Sequence, residues 1–329
     1  MKPKKIEISH RTIVFSVTFL ACLWFLYFIR EIILQIFVAL LIMAILNPTV
    51  TKLHKKLKMP RFLSVIIVYF LVFGGFISVL TLAIPPLISQ TSGFANNLPK
   101  YISEFDIPNF LTNGLTQEFA SQIGSLPSQL IKITVSIFSN VLSVLAVFIF
   151  ALYFLLAREK LDDNLGKIFS DAKIENKIKI IFERLEIKLG GWARGQIFLM
   201  IIIGVSTYIG LTLLGIPYAL PLALFAGLLE IIPNIGPFLS SVPAIIVGFG
   251  ISPLTGVAVA ALYVLIQNVE NYVFVPKIME KSAGVHPLVT LLSLLIGFKI
   301  AGVMGALLSV PIVITIQVIL GVVYSEKFD

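Results

Sequence analysis

Two glutamates, Glu230 and Glu270, stand inside apolar stretches of membrane length, whereas the other acidic residues among the 17 in the chain fall in loops, tails or the Arg30–Glu31 turn. A charged side chain at the centre of a bilayer costs about 2.5 to 3.5 kcal/mol even on a lenient scale. Carboxyls in such places must face protein or water, where they can exchange a proton, ligate a cation or hydrogen-bond a polar solute. Glu230 opens a run in which Pro233, Asn234, Gly236 and Pro237 interrupt a would-be membrane helix. Irregular backbone at membrane depth survives only where protein covers it or it lines a cavity, so the amides and carbonyls around Asn234 and Gly236 are candidate solute ligands. A proline-kinked packing helix is the bland alternative. Gln267, Glu270 and Asn271 fall at i, i+3 and i+4, one face of a helix, and form a polar stripe suited to a hydrated solute or a cation. Glu270 could instead anchor its helix by pairing with Lys299.

The same reasoning excludes several classes of function. There is no Walker loop, no zinc-ligand spacing and no nucleophile, acid and base set, so neither an enzyme nor a cofactor is expected. His10, His54 and His286 are scattered, and the one cysteine, Cys22, lies in an apolar run, so no metal centre or disulfide framework is expected. The formal charge of +8 sits in loops between apolar spans, which fits membrane topology and anionic lipid headgroups rather than nucleic acid.

With 58% hydrophobic and 13% charged residues among 329, the chain reads as an all-α, polytopic membrane protein of about eight transmembrane segments. The first three spans occupy residues 1–84. Four basic residues precede the first span, which places the N-terminus in the cytoplasm. Arg30–Glu31 then reads as a tight helical hairpin, or alternatively as the middle of one very long helix. Asn47–Pro48 ends the second span before a basic loop reaching Arg61, and Pro85–Pro86 ends the third. Residues 85–132 carry acids and an amphipathic spacing at Leu115, Phe119 and Ile123, expected on the outer face. A fourth span, about 133–157, returns to a cytoplasmic basic amphipathic helix running to residue 196. Arg194, which would snorkel to the interface, and Gln196 lie at the mouth of the next span.

Residues 197–329 form the expected transport domain. Within it, 219–250 and 287–324 are each interrupted near the middle, and each arm of the first is too short to cross about 30 Å of hydrocarbon. The two segments share an opening Pro-Leu and a later small-residue run ending in proline, at Pro243 and Pro311. This is the pattern of an inverted repeat of two re-entrant helical hairpins, with Glu230 and Lys299 at equivalent tips. Reading both as hairpins or both as spans leaves the C-terminus in the cytoplasm; only the side of the loop 276–286 changes. Pro233, Pro237, Pro276, Gly302 and Pro311 mark the joints where such a domain would flex or gate.

At these positions the sequence resembles the autoinducer-2 exporter family of permeases. The resemblance rests on Gly191–Gln196, Leu214–Tyr218, Glu230–Pro237, Gln267–Asn271, Val275–Met279, His286–Pro287 and the run Gly302–Pro311, with Leu46–Pro48 in the first half. The family often has Tyr where this chain has Asn234. What the resemblance implies is a homopentamer in the bacterial inner membrane, with two hairpins in a transport domain that moves like an elevator. It further links members to export of autoinducer-2 and others to sodium/proton antiport. The expectation is therefore export of a small polar solute of that type, contacted by Glu230, Asn234, Gln267, Asn271 and the hairpin tips, or alternatively sodium/proton exchange carried by Glu230 and Glu270. A non-transporting assembly protein, with both glutamates structural, is the third class.

Overall fold

A computed structural model describes residues 10–103, 141–161, 166, 171–232, 235–279 and 286–324. Among these the elements are helical: α1 (His10–Phe28), α2 (Arg30–Leu57), α3 (Arg61–Ser103), α4 (Val141–Ala157), a 3₁₀ turn (Arg158–Lys160), α5 (Ala172–Leu213), α6 (Ala219–Leu229), α7 (Ile235–Ile251), α8 (Pro253–Val269), a π-helical turn (Glu270–Phe274), α9 (Val275–Met279) and α10 (Pro287–Tyr324). Six of the helices are long and apolar enough to cross a bilayer, with shorter apolar helices at Ala219–Leu229 and Gly236–Ile251 among those left over. The fold is therefore an all-α polytopic membrane bundle. The amphipathic spacing at Leu115, Phe119 and Ile123 and the start of the fourth span lie outside the described residues.

Four junctions differ from the sequence expectation. Arg30–Glu31 is no tight hairpin: α1 and α2 do not pack along each other, and the chain only steps out of helical geometry at Ile29 (φ −91°, ψ 9°), whose N–H still donates to Phe25 O and whose carbonyl takes Ile33 N–H, both at 3.0 Å. Nor is it one unbroken helix: α1 ends at Phe28 and α2 begins at Arg30, with Ile29 as a one-residue kink and helix continuing on both sides. The Arg30 guanidinium lies 4.1 Å over the Tyr27 ring, a contact that bridges the joint. α3 runs on through Pro85–Pro86 to Ser103. A proline removes one donor and crowds the carbonyl four residues back, which bends a helix without ending it when both flanks favour helix. Asn97, on this extension, donates to the Tyr218 hydroxyl at 3.0 Å and so ties α3 to the turn between α5 and α6. Finally, Asn47–Pro48 does not end α2, which runs on to Leu57, and Gly190–Gly191 sits within α5, unbroken for 42 residues. A Cβ at Gly190 would collide with the Ala44 carbonyl, so this pair serves close packing rather than a break.

Three apolar clusters divide the bundle. One face of α2 (Met43, Leu46, Val50) packs with Val65 and Val68 of α3 and Leu155 of α4. The other face (Leu41, Ala44) meets Leu189 and Trp192 of α5 and Ile314 and Val318 of α10. The second half of α5 (Ile203, Leu211) joins α6, α7 and α8 in a separate wedge through Leu222, Ala226, Val247 and Val259. α5 is the shared spine. By contrast α1 presents no buried residue over Arg11–Phe28, a surface that only lipid or another chain can cover.

Arg194 does not snorkel. Pro48 lies inside α2 and lacks an N–H, which orphans the Ala44 carbonyl four residues back. Arg194 Nη1 donates to Ala44 O at 2.8 Å and to Ile45 O at 3.1 Å, filling that gap from α5. Beside it Asn47 donates to Glu186, which also takes Arg158 Nε at 2.5 Å, while Arg61 reaches Asn47 Oδ1 at 2.7 Å and Glu159 at 3.0 Å. The Lys52–Arg61 and Arg158–Arg194 clusters read as topology signals therefore also clasp α2, α3, α4 and α5 together. Arg194→Met should destabilise the protein by about 1 to 3 kcal/mol, the penalty of an unpaired buried carbonyl. Adding Pro48→Ala restores the missing N–H, so the double variant should melt above Arg194→Met alone; strict additivity of the two changes in thermal melts would refute the pairing.

Candidate functional site

The wedge of α5, α6, α7 and α8 is built around the two glutamates. α6 is only 11 residues long and ends at Leu229, where Glu230 caps it by donating its N–H to Ala226 O at 3.1 Å. Short bonds from Ile231 to Leu228 and from Ile232 to Leu229 tighten the exit, and the chain reverses into α7, which Gly236 N–H joins by donating to Ile232 O at 2.9 Å. Gly236 is obligatory in this turn because a Cβ would overlap the Leu229 carbonyl. The last carbonyls of a helix lack intrahelical donors; here Gln196 of α5 supplies one, Nε2 donating to Glu230 O at 2.6 Å.

Glu270 arrives from the other side. It follows α8 and begins a π-helical turn, where Val275 N–H reaches back five residues to Glu270 O. Such turns are rare and concentrate at functional positions. The wider winding buries Glu270 to 3% exposure yet leaves Asn271 exposed, so the face predicted for Gln267, Glu270 and Asn271 keeps only its first two members. Gln267 Nε2 donates to Glu270 Oε2 at 3.3 Å.

Glu230, 1% exposed, and Glu270 lie within hydrogen-bonding reach of each other, and Glu230 Oε2 has no partner within the protein among the described residues. Neither carboxyl forms an ion pair there with Lys, Arg or His. Two dry carboxylates in contact repel, so the arrangement is attractive only with a hydrogen or an oxygen-ligated cation between them. The pair is therefore a place where one proton and one small cation are alternatives.

The other predicted residues distribute differently. Lys299 is exposed and does not reach the acids, which removes the anchoring role considered for Glu270. The second interruption lies at Ala301 (φ −138°, ψ 23°) and Gly302 (φ 61°, ψ −143°), and across it Gly297 and Gly305 stack backbone on backbone, so α10 folds into two arms, 287–300 and 303–324. Both interrupted segments thus reverse direction, but the first tip is buried with its carboxyl and the second is exposed with its lysine. Gly236 and Pro237 are buried at the first tip, Pro311 is buried in the longer arm of α10, and Pro276 is exposed on α9. Pro233 and Asn234 lie outside the described residues. Sequence reasoning missed Thr207 and Tyr263, buried hydroxyls in the same wedge, whose polar atoms are camouflaged within apolar runs. The one available signal was spacing: Tyr263 precedes Glu270 by two helical turns.

Comparison with known proteins agrees with this architecture. The family model described as AI-2E family transporter matches residues 13–325. Two Bacillus subtilis (strain 168) proteins provisionally named as transport proteins are similar over most of their length: YueF, 28% identical over 88% of this chain and 83% of its own, and YrrI, 26% identical over 89% and 86%. A protein of Halobacillus andaensis named sodium-lithium/proton antiporter is 26% identical, covering 88% of this chain and 89% of its own.

Proposed function

Since the chain belongs to the AI-2E family of membrane transporters, we propose that it exchanges a small monovalent cation for a proton, with Glu230 and Glu270 as the common binding pair. The observation that carries this is the contact of two buried carboxyls without a basic partner among the described residues. In one state a carboxyl O–H bridges the pair. When that proton leaves to water, the freed carboxylate oxygens suit a hard cation such as sodium or lithium, and the side chain of Gln267, which donates to Glu270, stands beside them. The name of the Halobacillus relative points the same way.

Access from alternate sides would come from movement of the α6–α7 hairpin and the folded arms of α10 against α2, α3 and α4, an elevator-like displacement with α5 at the boundary. The same reading places the protein in the bacterial cell membrane, with both termini cytoplasmic, as a pentamer whose contacts draw on the fully exposed α1. Export of a small polar solute of the autoinducer-2 type is the second reading. It draws on the family description and on the amides of Gln196 and Gln267 beside the acids, which offer the donors and acceptors a hydroxylated solute takes.

Proteoliposomes separate the two. An imposed sodium or lithium gradient should change the internal pH, and preloaded autoinducer-2 should be retained. Release of the solute with no cation-dependent pH change would overturn cation exchange in favour of export.

A further inference from the structure

Three buried side-chain oxygens have no hydrogen-bond partner within the protein among the described residues: Glu230 Oε2, Thr207 Oγ1 and the Tyr263 hydroxyl. All three belong to the wedge of α5, α6 and α8. A buried polar atom without a partner is rare in a native protein, and each instance calls for an explanation. Thr207 is fully buried and Tyr263 is 8% exposed. Valine and phenylalanine would fill the same space without the penalty, so packing alone does not account for the hydroxyls.

Their positions are related to the acid pair. Thr207 follows Gln196 by three turns of α5, and Tyr263 precedes Glu270 by two turns of α8, so each hydroxyl lies on the helix face that carries a site residue. Gly210 of α5 abuts the Leu262 side chain, and Ile203, Leu211, Tyr263 and Ile266 share one cluster, which places Thr207 and Tyr263 at neighbouring levels of the α5–α8 seam. At 1.5 Å per residue, Tyr263 is displaced about 10 Å from Glu270 along α8. Between the two levels stand Ile203 and Ile266, both buried.

We propose that Thr207 Oγ1 and the Tyr263 hydroxyl form a second oxygen-ligand station for the exchanged monovalent cation, one step along the α5–α8 seam from Glu230 and Glu270. Each hydroxyl oxygen offers lone pairs to a cation and carries no charge of its own, so it holds the ion weakly enough to release it. The isoleucines separate the stations, and an ion passing them must shed bulk water. This inference rests on the cation-exchange reading of the acid pair.

The test uses proteoliposomes of the full chain carrying Thr207→Val, Tyr263→Phe, both together, Thr207→Ser and Glu270→Gln, with lithium- or sodium-driven pH change as one readout and thermal melting in detergent as the other. The double variant should melt at or above wild type, because it loses two unpaired polar groups. Its exchange rate should nevertheless fall about tenfold, the factor carried by one lost ligand-strength interaction. Thr207→Ser, which keeps the hydroxyl, should exchange like wild type. Wild-type exchange in the double variant, with Glu270→Gln inactive, would overturn the second station and leave the acid pair standing. Wild-type exchange in Glu270→Gln would overturn the acid pair and, with it, the second station that is defined from that pair. Slowed exchange together with a lower melting temperature would mark the hydroxyls as structural and overturn the proposal.

Discussion

Glu270→Gln will reduce sodium- or lithium-driven proton exchange to the level of protein-free vesicles while the protein purifies and melts much like wild type. The substitution keeps the volume, and its amide oxygen can still accept from Gln267 Nε2, which now donates to Glu270 at 3.3 Å. An amide N–H can also donate across to Glu230, so no polar atom is newly orphaned and stability should change by less than about 1 kcal/mol. What is lost is the proton that the pair can release. Glu230→Gln should be equally inactive, because exchange needs the pair rather than either member. Glu270→Ala is a harsher change, removing the partner of a buried carboxyl, and should also cost about 1 to 3 kcal/mol of stability. In the wild type, protons and cation compete for the same oxygens, so the sodium concentration giving half-maximal exchange should rise as pH falls. A half-maximal concentration independent of pH, or a Glu270→Gln protein that is poorly folded yet transports at a normal rate per molecule, would make the glutamates structural.

How much of this was legible in the sequence depends on the kind of signal. Glu230 beside Pro233, Gly236 and Pro237, and the break at Gly302, were readable because a helix in lipid has few tolerated reasons to stop. That Glu230 and Glu270 meet was not readable, since 40 residues separate them and it takes the packing of α6 and α8 on α5 and α7 to join them. Asn271 was misplaced because an α-helical wheel does not foresee a π-helical turn. Arg30–Glu31 was over-read as a hairpin where the chain only kinks at Ile29, and Pro85–Pro86 was over-read as a helix end, since charge and proline each weaken a helix without reversing the chain. Arg194 was assigned to the interface from its charge alone, when the informative residue was Pro48, some 150 positions earlier, whose missing N–H creates the acceptor it fills.

The folded arms of α10 give the second large effect, and they separate two reasons for a glycine. At Gly305 a Cβ would collide with the Gly297 carbonyl of the opposite arm, although the glycine is helical; the obstacle is backbone, which cannot swing aside as a side chain can. At Gly302 nothing lies within 4 Å of a Cβ, but φ of 61° with ψ of −143° is a conformation that residues with a Cβ rarely adopt. Gly305→Ala should therefore push the arms apart, and Gly302→Ala should strain the turn, each costing about 1 to 3 kcal/mol. Gly321, in the same helix with open space around it and no positive φ, is the control: Gly321→Ala should be neutral or stabilise by up to about 1 kcal/mol. Thermal melting of the three purified variants checks the order. The exchange assay then separates the two joints. Spreading the arms at Gly305 disrupts packing that any state of the hairpin needs, so transport should fall with stability. If α10 moves as one folded unit, strain confined to Gly302 should lower the melting temperature and leave the exchange rate per folded molecule near wild type. A large loss of exchange in Gly302→Ala at unchanged stability would instead make the second tip part of the transport path, on a par with the buried first tip at Glu230.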